Sequence, residues 1–456
     1  MIAARLSPPV RALLDAIWLL ALALFVLAGM TLATFHGDEA MQIYMSHDYA
    51  TTFIYKDPLR LETSPPYDID SDQQLRLLNG SVNRYGIGLG WHLAGLTDGD
   101  LPPAPGWDWG LDYDRNVQTG HRPSDQLLTA GRASSTLFLA VSAAIMFGLG
   151  WQFGGRPLAY FVSGLYAVNP VVLLNGRRAM MEGSLLCFGL LAILLAAVIS
   201  RRREQGAGGL WGWWIALTLS GGLALASKHS ALVFVAAAYG WIFVAEMTRR
   251  NVVGIVTTSV KLAVSLILAA LLFVGLSPAL WNDPLARLQD LVAARERLID
   301  IQIAADPLAP TTILQRVEGI LIQPFLAPPM HYEVAYWANA QAITDEINGY
   351  MTSPLSGLQF GLVLGVPLTL LAGLGLIACL WLRPRGSWAL SVGTLVWFAA
   401  ATASVLVNPL PWQRYYLPLY PVASLLAGIG GAAVFRLFVQ KRRQKLVPES
   451  LPVAAS

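Results

Sequence analysis

The segment Phe35-His36-Gly37-Asp38-Glu39-Ala40 sets two adjacent carboxylates directly after the first long apolar run of a 456-residue chain. A carboxylate at an apolar boundary can carry a raised pKa and take a proton from a hydroxyl, the work of a general base. The same pair also suits the first turn of a helix, where negative charge complements unpaired amides. Met41, Tyr44, Met45, Tyr49, Thr52 and Phe53 follow at helical spacing and predict a helix lying in the membrane interface. The catalytic and the helix-starting readings are compatible.

Cations stand at similar boundaries further along. Asn175-Gly176-Arg177-Arg178-Ala179-Met180-Met181-Glu182-Gly183 offers two guanidinium forks and a second acid, Ser227-Lys228-His229-Ser230 offers an ammonium, and Arg414 precedes Tyr415 and Tyr416. Each has a bland explanation, since long cationic side chains snorkel at span ends and aromatic belts mark interfaces. Each also suits an anion, because Arg matches phosphate oxygens in a bidentate way. Of Arg177 and Arg178, one faces a cavity, because adjacent helical positions point about 100° apart. His36, His47, His121 and His331 lack metal-ligand spacing, so no metal site is assigned. Asn79-Gly80-Ser81 fits a glycosylation tripeptide, a pattern frequent by chance.

These residues need a scaffold, and composition says which. Hydrophobic residues make up 55% of the chain and charged ones 13%, about half the charged share of a soluble domain, which is roughly 25%. Apolar runs near 12–34, 127–150, 157–174, 181–200, 210–227, 231–247, 255–280, 357–382, 388–407 and 415–437 predict an all-α polytopic protein of about ten spans. The first run lacks a cleavage site and is expected to be retained. With a cytoplasmic N-terminus, Arg5, Arg11, Arg156, Arg201 to Arg203, Arg249, Arg250, Arg383, Arg385, Lys441, Arg442, Arg443 and Lys445 all fall inside. The candidate residues then share the outer face. Scattered basic clusters of this kind exclude a polynucleotide surface, and Cys187 and Cys379 lie in apolar runs with no framework to build.

The expected organisation is 1–34 for the N-terminus and first span, 35–126 for a first outer loop, and 127–280 for spans two to seven. A second outer loop follows at 281–356, then spans eight to ten at 357–438 and a cytoplasmic tail at 439–456. The first loop is acidic, with 14 Asp or Glu against 6 Lys or Arg. The second contains a helical pattern over Leu285 to Ala305. Either loop is large enough to cover a membrane cavity.

The Asp-Glu pair after the first span, the Arg-x-x-x-x-Glu of Arg177 to Glu182, the Lys-x-Ser of Lys228 to Ser230 and the closing Arg-Tyr-Tyr-x-Pro-x-Tyr-Pro from Arg414 resemble a known group. It is the polyprenyl-phosphate-sugar-dependent membrane glycosyltransferases of the GT-C fold, which includes protein O-mannosyltransferases and lipid A aminoarabinose transferases. Ser277-Pro278-Ala279-Leu280-Trp281-Asn282-Asp283-Pro284 has the same flavour, and the likeness runs in order from Ala12 to Gly428. It implies Asp38 as the acid that activates an acceptor hydroxyl with Glu39 beside it, Arg177, Lys228 and Arg414 on the donor phosphate with Arg178 in reserve, and Glu182 as a second acidic position. It further implies inverting transfer of a hexosyl or pentosyl unit at the outer face of a bacterial inner (plasma) membrane. The acceptor is left open among protein, lipid and glycan, and a divalent cation at the acids is left open too. A transporter or flippase would place ionisable residues near the midplane in paired halves, a pattern the chain lacks. A non-catalytic scaffold would use the same charges as ion pairs and would tolerate loss of Asp38.

Overall fold

The computed structural model describes residues 7–305, 311–381 and 384–446. Arg5 and Arg383, and the side chains of Arg385 and the C-terminal basic cluster, lie outside the described residues. The first apolar run forms α1 (Pro8–Ala28), and the polar stretch behind it folds into α2 (Gly37–Met45), α3 (His47–Tyr49), α4 (Asp72–Leu78), α5 (Ser81–Leu93) and α6 (Tyr113–Gln118). A run of apolar helices follows: α7 (Asp125–Gly154), α8 (Arg156–Ala167), α9 (Pro170–Arg177), α10 (Glu182–Glu204), α11 (Trp211–Ser227), α12 (Leu232–Met247) and α13 (Val252–Leu276). The second polar stretch holds α14 (Pro284–Ala305), α15 (Ile313–Ile322) and α16 (Gln341–Thr352), and α17 (Gly361–Trp381), α18 (Trp388–Val407) and α19 (Leu419–Leu446) complete the bundle. No strand occurs among the described residues.

Among the described residues eight helices are long and apolar enough to cross a membrane, and α8 with α9 forms a further apolar pair bent by 62°. α11 is also apolar but only 17 residues long. The expected continuous span at 157–174 is therefore a broken one. Pro170 has no amide to donate and disfavours helix at the residue before it, so Asn169 leaves the helix and caps α9 through the amides of Val171 and Val172. The first span ends at Ala28 rather than near residue 34, and the seventh at Leu276, where Ser277-Pro278 opens a short 3-10 turn.

Helix α10 is the hub: 83% of its apolar window is buried, against 11% for α1 and 17% for α13. The outward faces of α1 and α13, with Leu13, Ile17, Leu20, Val256, Val260, Ile267 and Leu271, are exposed. A continuous apolar surface of this size fits lipid and not water, and the chain is an integral, multi-pass membrane protein.

The two ends of the bundle differ. At one end Arg156 pairs with Asp15 at 2.9 Å, Arg203 pairs with Glu246 at 2.9 Å, and Glu204 accepts from the first amides of α18. At the other end the two polar stretches fold together over the helices. Trp337 of the second is fully buried, stacked on Phe35 at 6.1 Å and 5.4 Å from Trp107 of the first. The Phe35 amide donates to Glu346 at 2.7 Å, and the Thr63 hydroxyl donates to the Ala279 carbonyl at 2.9 Å within the Ser277 to Pro284 motif. Aromatic rings bury large area and prefer such tilted or offset contacts, so the two stretches share one small core.

Candidate active site

The chain leaves α1 and turns into α2 at His36, the N-cap. Its Nδ1 accepts from the Asp38 amide at 3.1 Å, while the His36 amide donates to Glu39 at 3.1 Å, a reciprocal capping box. This is why the two acids sit in the first turn. The helix behind them is shorter than its periodicity predicts: α2 ends at Met45, and Ala40 and Ile43 pack into the core that the two polar stretches share, while Phe53 is exposed.

The two carboxylates part company at once. Glu39 is fully buried; Arg132 of α7 donates to both of its oxygens at 2.8 Å and the Ala179 amide adds a third donor at 2.8 Å. Burial would push its carboxyl up, but the Arg132 guanidinium and these donors hold it below the usual carboxylate range. Every lone-pair direction of Glu39 is engaged, so it has no free oxygen to offer a ligand.

Asp38 keeps some exposure and pairs with Arg414 from the turn before α19, 376 residues away in sequence. Burial again pushes its carboxyl up, and Arg414 and His36 outweigh that and hold it low. Arg414 is bound on its other side by Glu333 of the second polar stretch, Nε to Oε1 at 3.3 Å, an ion pair too poorly aligned to count as a hydrogen bond. Glu333 in turn accepts from His36 Nε2 at 2.5 Å. Burial raises Glu333, yet Arg414 and His36 keep it well below a free carboxylate. Arg414 also lies 5.0 Å from the Trp412 ring. Next to it, Gln413 donates to Gln323 and the Pro328 carbonyl at 3.0 Å and accepts from the Met330 amide at 2.7 Å, latching this turn to the second polar stretch.

Ala179, three residues before Glu182, donates its amide to Glu39 beside Asp38, and Lys228 donates to Glu182 at 2.5 Å between the end of α11 and the start of α10. The first polar stretch presses on this pair at Gly80: a Cβ there would collide with the Ser227 carbonyl, so only glycine lets the loop come this close to Lys228. Asp38, Arg414, Lys228 and Glu182 thus share one neighbourhood.

The structure gives Arg177 and Arg178 other tasks. Arg177 is completely buried and donates to the carbonyls of Phe25 at 2.7 Å and Val26 at 2.8 Å, to Leu355 at 2.5 Å and to the Tyr350 hydroxyl at 3.4 Å. The last carbonyls of a helix lack intrahelical partners, so the Arg177 side chain satisfies the end of α1 beside its C-cap, Gly29. Four of its five N–H groups are taken, and it is withdrawn as a phosphate ligand. Arg178 donates to the Thr34 carbonyl at 3.0 Å and the His331 carbonyl at 2.5 Å, which ties the two polar stretches together. Neither arginine presents the free fork expected from its position. Asn79 is buried, with its amide donating to Leu75 at 2.9 Å, which removes it as a modification site.

Glu333, His36 as a bridging residue and Arg132 were missed by the sequence reading. Arg132 had a signal: an arginine in an apolar helix needs an acid. Glu333 had none, lying in an irregular stretch with no motif around it. Among the described residues no group of three or more His, Cys, Asp or Glu side chains could hold a metal ion.

Residues 110–281, less than half of the chain, match the family model described as dolichyl-phosphate-mannose-protein mannosyltransferase. No curated protein matches the sequence. Among solved structures, ArnT from Cupriavidus metallidurans bound to undecaprenyl phosphate aligns with a TM-score of 0.52 over 95% of this chain at 13% identity. The oligosaccharyltransferase AglB from Archaeoglobus fulgidus, in complex with an inhibitory peptide and a dolichol-phosphate, gives 0.52 over 96% at 9% identity. The fold is GT-C-like. This chain spans 64% of the ArnT chain and 53% of the AglB chain, so the GT-C-like architecture is what it shares with them. Within that architecture the Asp38 and Arg414 cluster sits at the end of the bundle covered by the two polar stretches.

Proposed function

We propose that this chain is a membrane glycosyltransferase, moving a hexosyl or pentosyl unit from a polyprenyl-phosphate donor to an acceptor hydroxyl on the outer face of the plasma membrane. The observation that carries the reading is the union of Asp38 and Arg414 in one largely buried cluster, drawn from opposite ends of the chain. A leaving polyprenyl phosphate is already anionic and needs fixed positive charge in a partly dry site. Arg414 and Lys228 supply it. When a phosphate shares Arg414, the guanidinium holds Asp38 less strongly, and Asp38 becomes the better proton acceptor for the incoming hydroxyl. Direct displacement on that path inverts the anomeric centre. Glu39 and Arg132 hold the α2 turn still, and Glu333 and His36 keep Arg414 aimed at Asp38.

The test is to reconstitute the purified chain in lipid discs with a panel of polyprenyl-phosphate sugars and follow release of polyprenyl phosphate. Asp38→Asn is expected to bind the donor but not turn it over. A chain that binds none of the lipid phosphates, or an Asp38→Asn variant with full turnover, overturns the reading. For the orientation, cysteines placed at Asp98 and at Leu285, which is 76% exposed, are expected to react with an impermeant thiol reagent in intact cells. Labelling only after lysis reverses the topology.

A further inference from the structure

Glu182 is the first residue of α10 and its side chain is completely buried. One carboxylate oxygen accepts from Lys228, and the other, Oε2, is buried without a hydrogen-bond partner among the described residues. A buried carboxylate oxygen that accepts nothing carries an uncompensated desolvation penalty, and native interiors rarely keep one without a purpose. Lys228 is in the complementary condition. Its ammonium has three donors, one of which goes to Glu182, and the side chain is 13% exposed. The pair therefore offers a rigid set of one acceptor and up to two donors.

Its surroundings say what that set faces. Ala179, three residues before Glu182, donates its amide to Glu39, the neighbour of Asp38, which places the pair beside the cluster that holds Asp38. The pair is also held firmly: Gly80 packs on the Ser227 carbonyl, and its amide donates to Met181 Sδ at 3.3 Å on the residue before Glu182. One acceptor next to a donor, at a fixed spacing, is the chemistry that recognises neighbouring hydroxyl groups. A cation is the wrong guest, since Glu182 already has its counter-charge in Lys228 and Arg414 stands nearby.

We propose that Glu182 Oε2 and the Lys228 ammonium grip two hydroxyls on the sugar ring of the donor, making Glu182 a specificity-determining residue that selects a neutral sugar over an amino sugar. This rests on the glycosyl-transfer reading. Glu182 Oε2 accepts from one hydroxyl, one Lys228 donor goes to another, and the remaining Lys228 donor stays with Arg414 for the phosphate.

The experiment measures Kd for three ligands on the full chain in lipid discs: polyprenyl phosphate without sugar, the glycosylated donor, and donors deoxygenated at single ring positions. Glu182→Gln is expected to leave the sugar-free lipid within about twofold and to weaken the glycosylated donor about 10-fold to 100-fold, which is the loss of one or two hydrogen-bonded steps of tenfold each. On the unmodified protein, deletion of the recognised hydroxyl is expected to give the same loss, and Glu182→Gln is expected to add nothing further to it. The deoxy series needs no variant, so it decides even if Glu182→Gln folds poorly. Equal weakening of sugar-free and glycosylated lipid overturns the proposal in favour of Glu182 serving only to hold Lys228. No discrimination among the deoxy donors, or an amino sugar bound as well as its neutral counterpart, overturns it as well. Failure of the unmodified protein to bind any lipid phosphate is a different result, and removes the glycosyl-transfer reading itself.

Discussion

Asp38 and Glu39 are neighbours in sequence, yet their surroundings are two different kinds of place. Around Glu39, Arg132, Ala179 and His36 meet every oxygen direction, and the side chain has no contact with solvent. Around Asp38, Arg414 is shared with Glu333, Arg414 Nε lacks an aligned partner, and Glu182 nearby keeps an unmet oxygen. Saturation marks a charge that builds the fold, and spare capacity marks one that can exchange partners. The same distinction separates the two sets of cations. Arg177 is spent on the end of α1 and Arg178 on the joint between the polar stretches, while Arg414 and Lys228 retain groups to offer.

The contrast can be broken most sharply at the two acids. Asp38→Asn is expected to cut turnover about 100-fold to 10,000-fold, the usual cost of a lost general base, with the melting temperature little changed. Glu39→Gln should do the reverse in kind, since removing one side of a buried pair costs about 3–5 kcal/mol of stability; a thermal melt of the detergent-solubilised protein reads it. If the two variants exchange phenotypes, the assignment of roles is inverted.

Arg177→Ala leaves the carbonyls of Phe25, Val26 and Leu355 without their donor, at about 1–3 kcal/mol for buried groups left unpaired. Its stability should fall while the Kd for polyprenyl phosphate stays put, and a selective loss of lipid binding would return Arg177 to the donor site. The smallest effect concerns pH. Arg414 holds the Asp38 carboxyl below its usual value, about 3.9, so activity is expected to persist below that pH and to be lost only as pH falls through the lowered value. Residual turnover in Arg414→Ala should show its acid limb at higher pH. Glu39 also has a lowered folded value, so its stabilisation is present above the unfolded pKa and disappears as pH falls through the folded one. An acid limb for Arg414→Ala that moves downward contradicts the pairing.

Much of the scaffold was legible. The pattern over Leu285 to Ala305 corresponds to α14, and apolar runs located the bundle helices to within a few residues. The break at Asn169-Pro170 was written in the sequence too, but a hydropathy window averages over one proline. The site was legible only in part. That Asp38 and Arg414 share a face follows from topology, whereas their direct pairing is a tertiary fact. Glu333 is the one acid between α15 and α16, but it lies in an irregular stretch whose path no local pattern predicts. Arg177 misled because its partners are backbone carbonyls, and these carry no residue type to read. Glu39 and Arg132 are a buried pair whose members lie 93 residues apart, and no local pattern links them.

The reach of the cluster along the chain bears on how the protein is made. Glu39 meets its counter-charge as soon as the second long helix is in place, because Arg132 lies on α7. Asp38 waits for Arg414, which the ribosome delivers only after the twelve helices α7 to α18, with Glu333 following the first nine of these. Through most of synthesis, then, the nascent protein carries a settled acid beside an unsettled one, and a chain stopped short of residue 414 holds a properly capped α2 that has no means of completing its site.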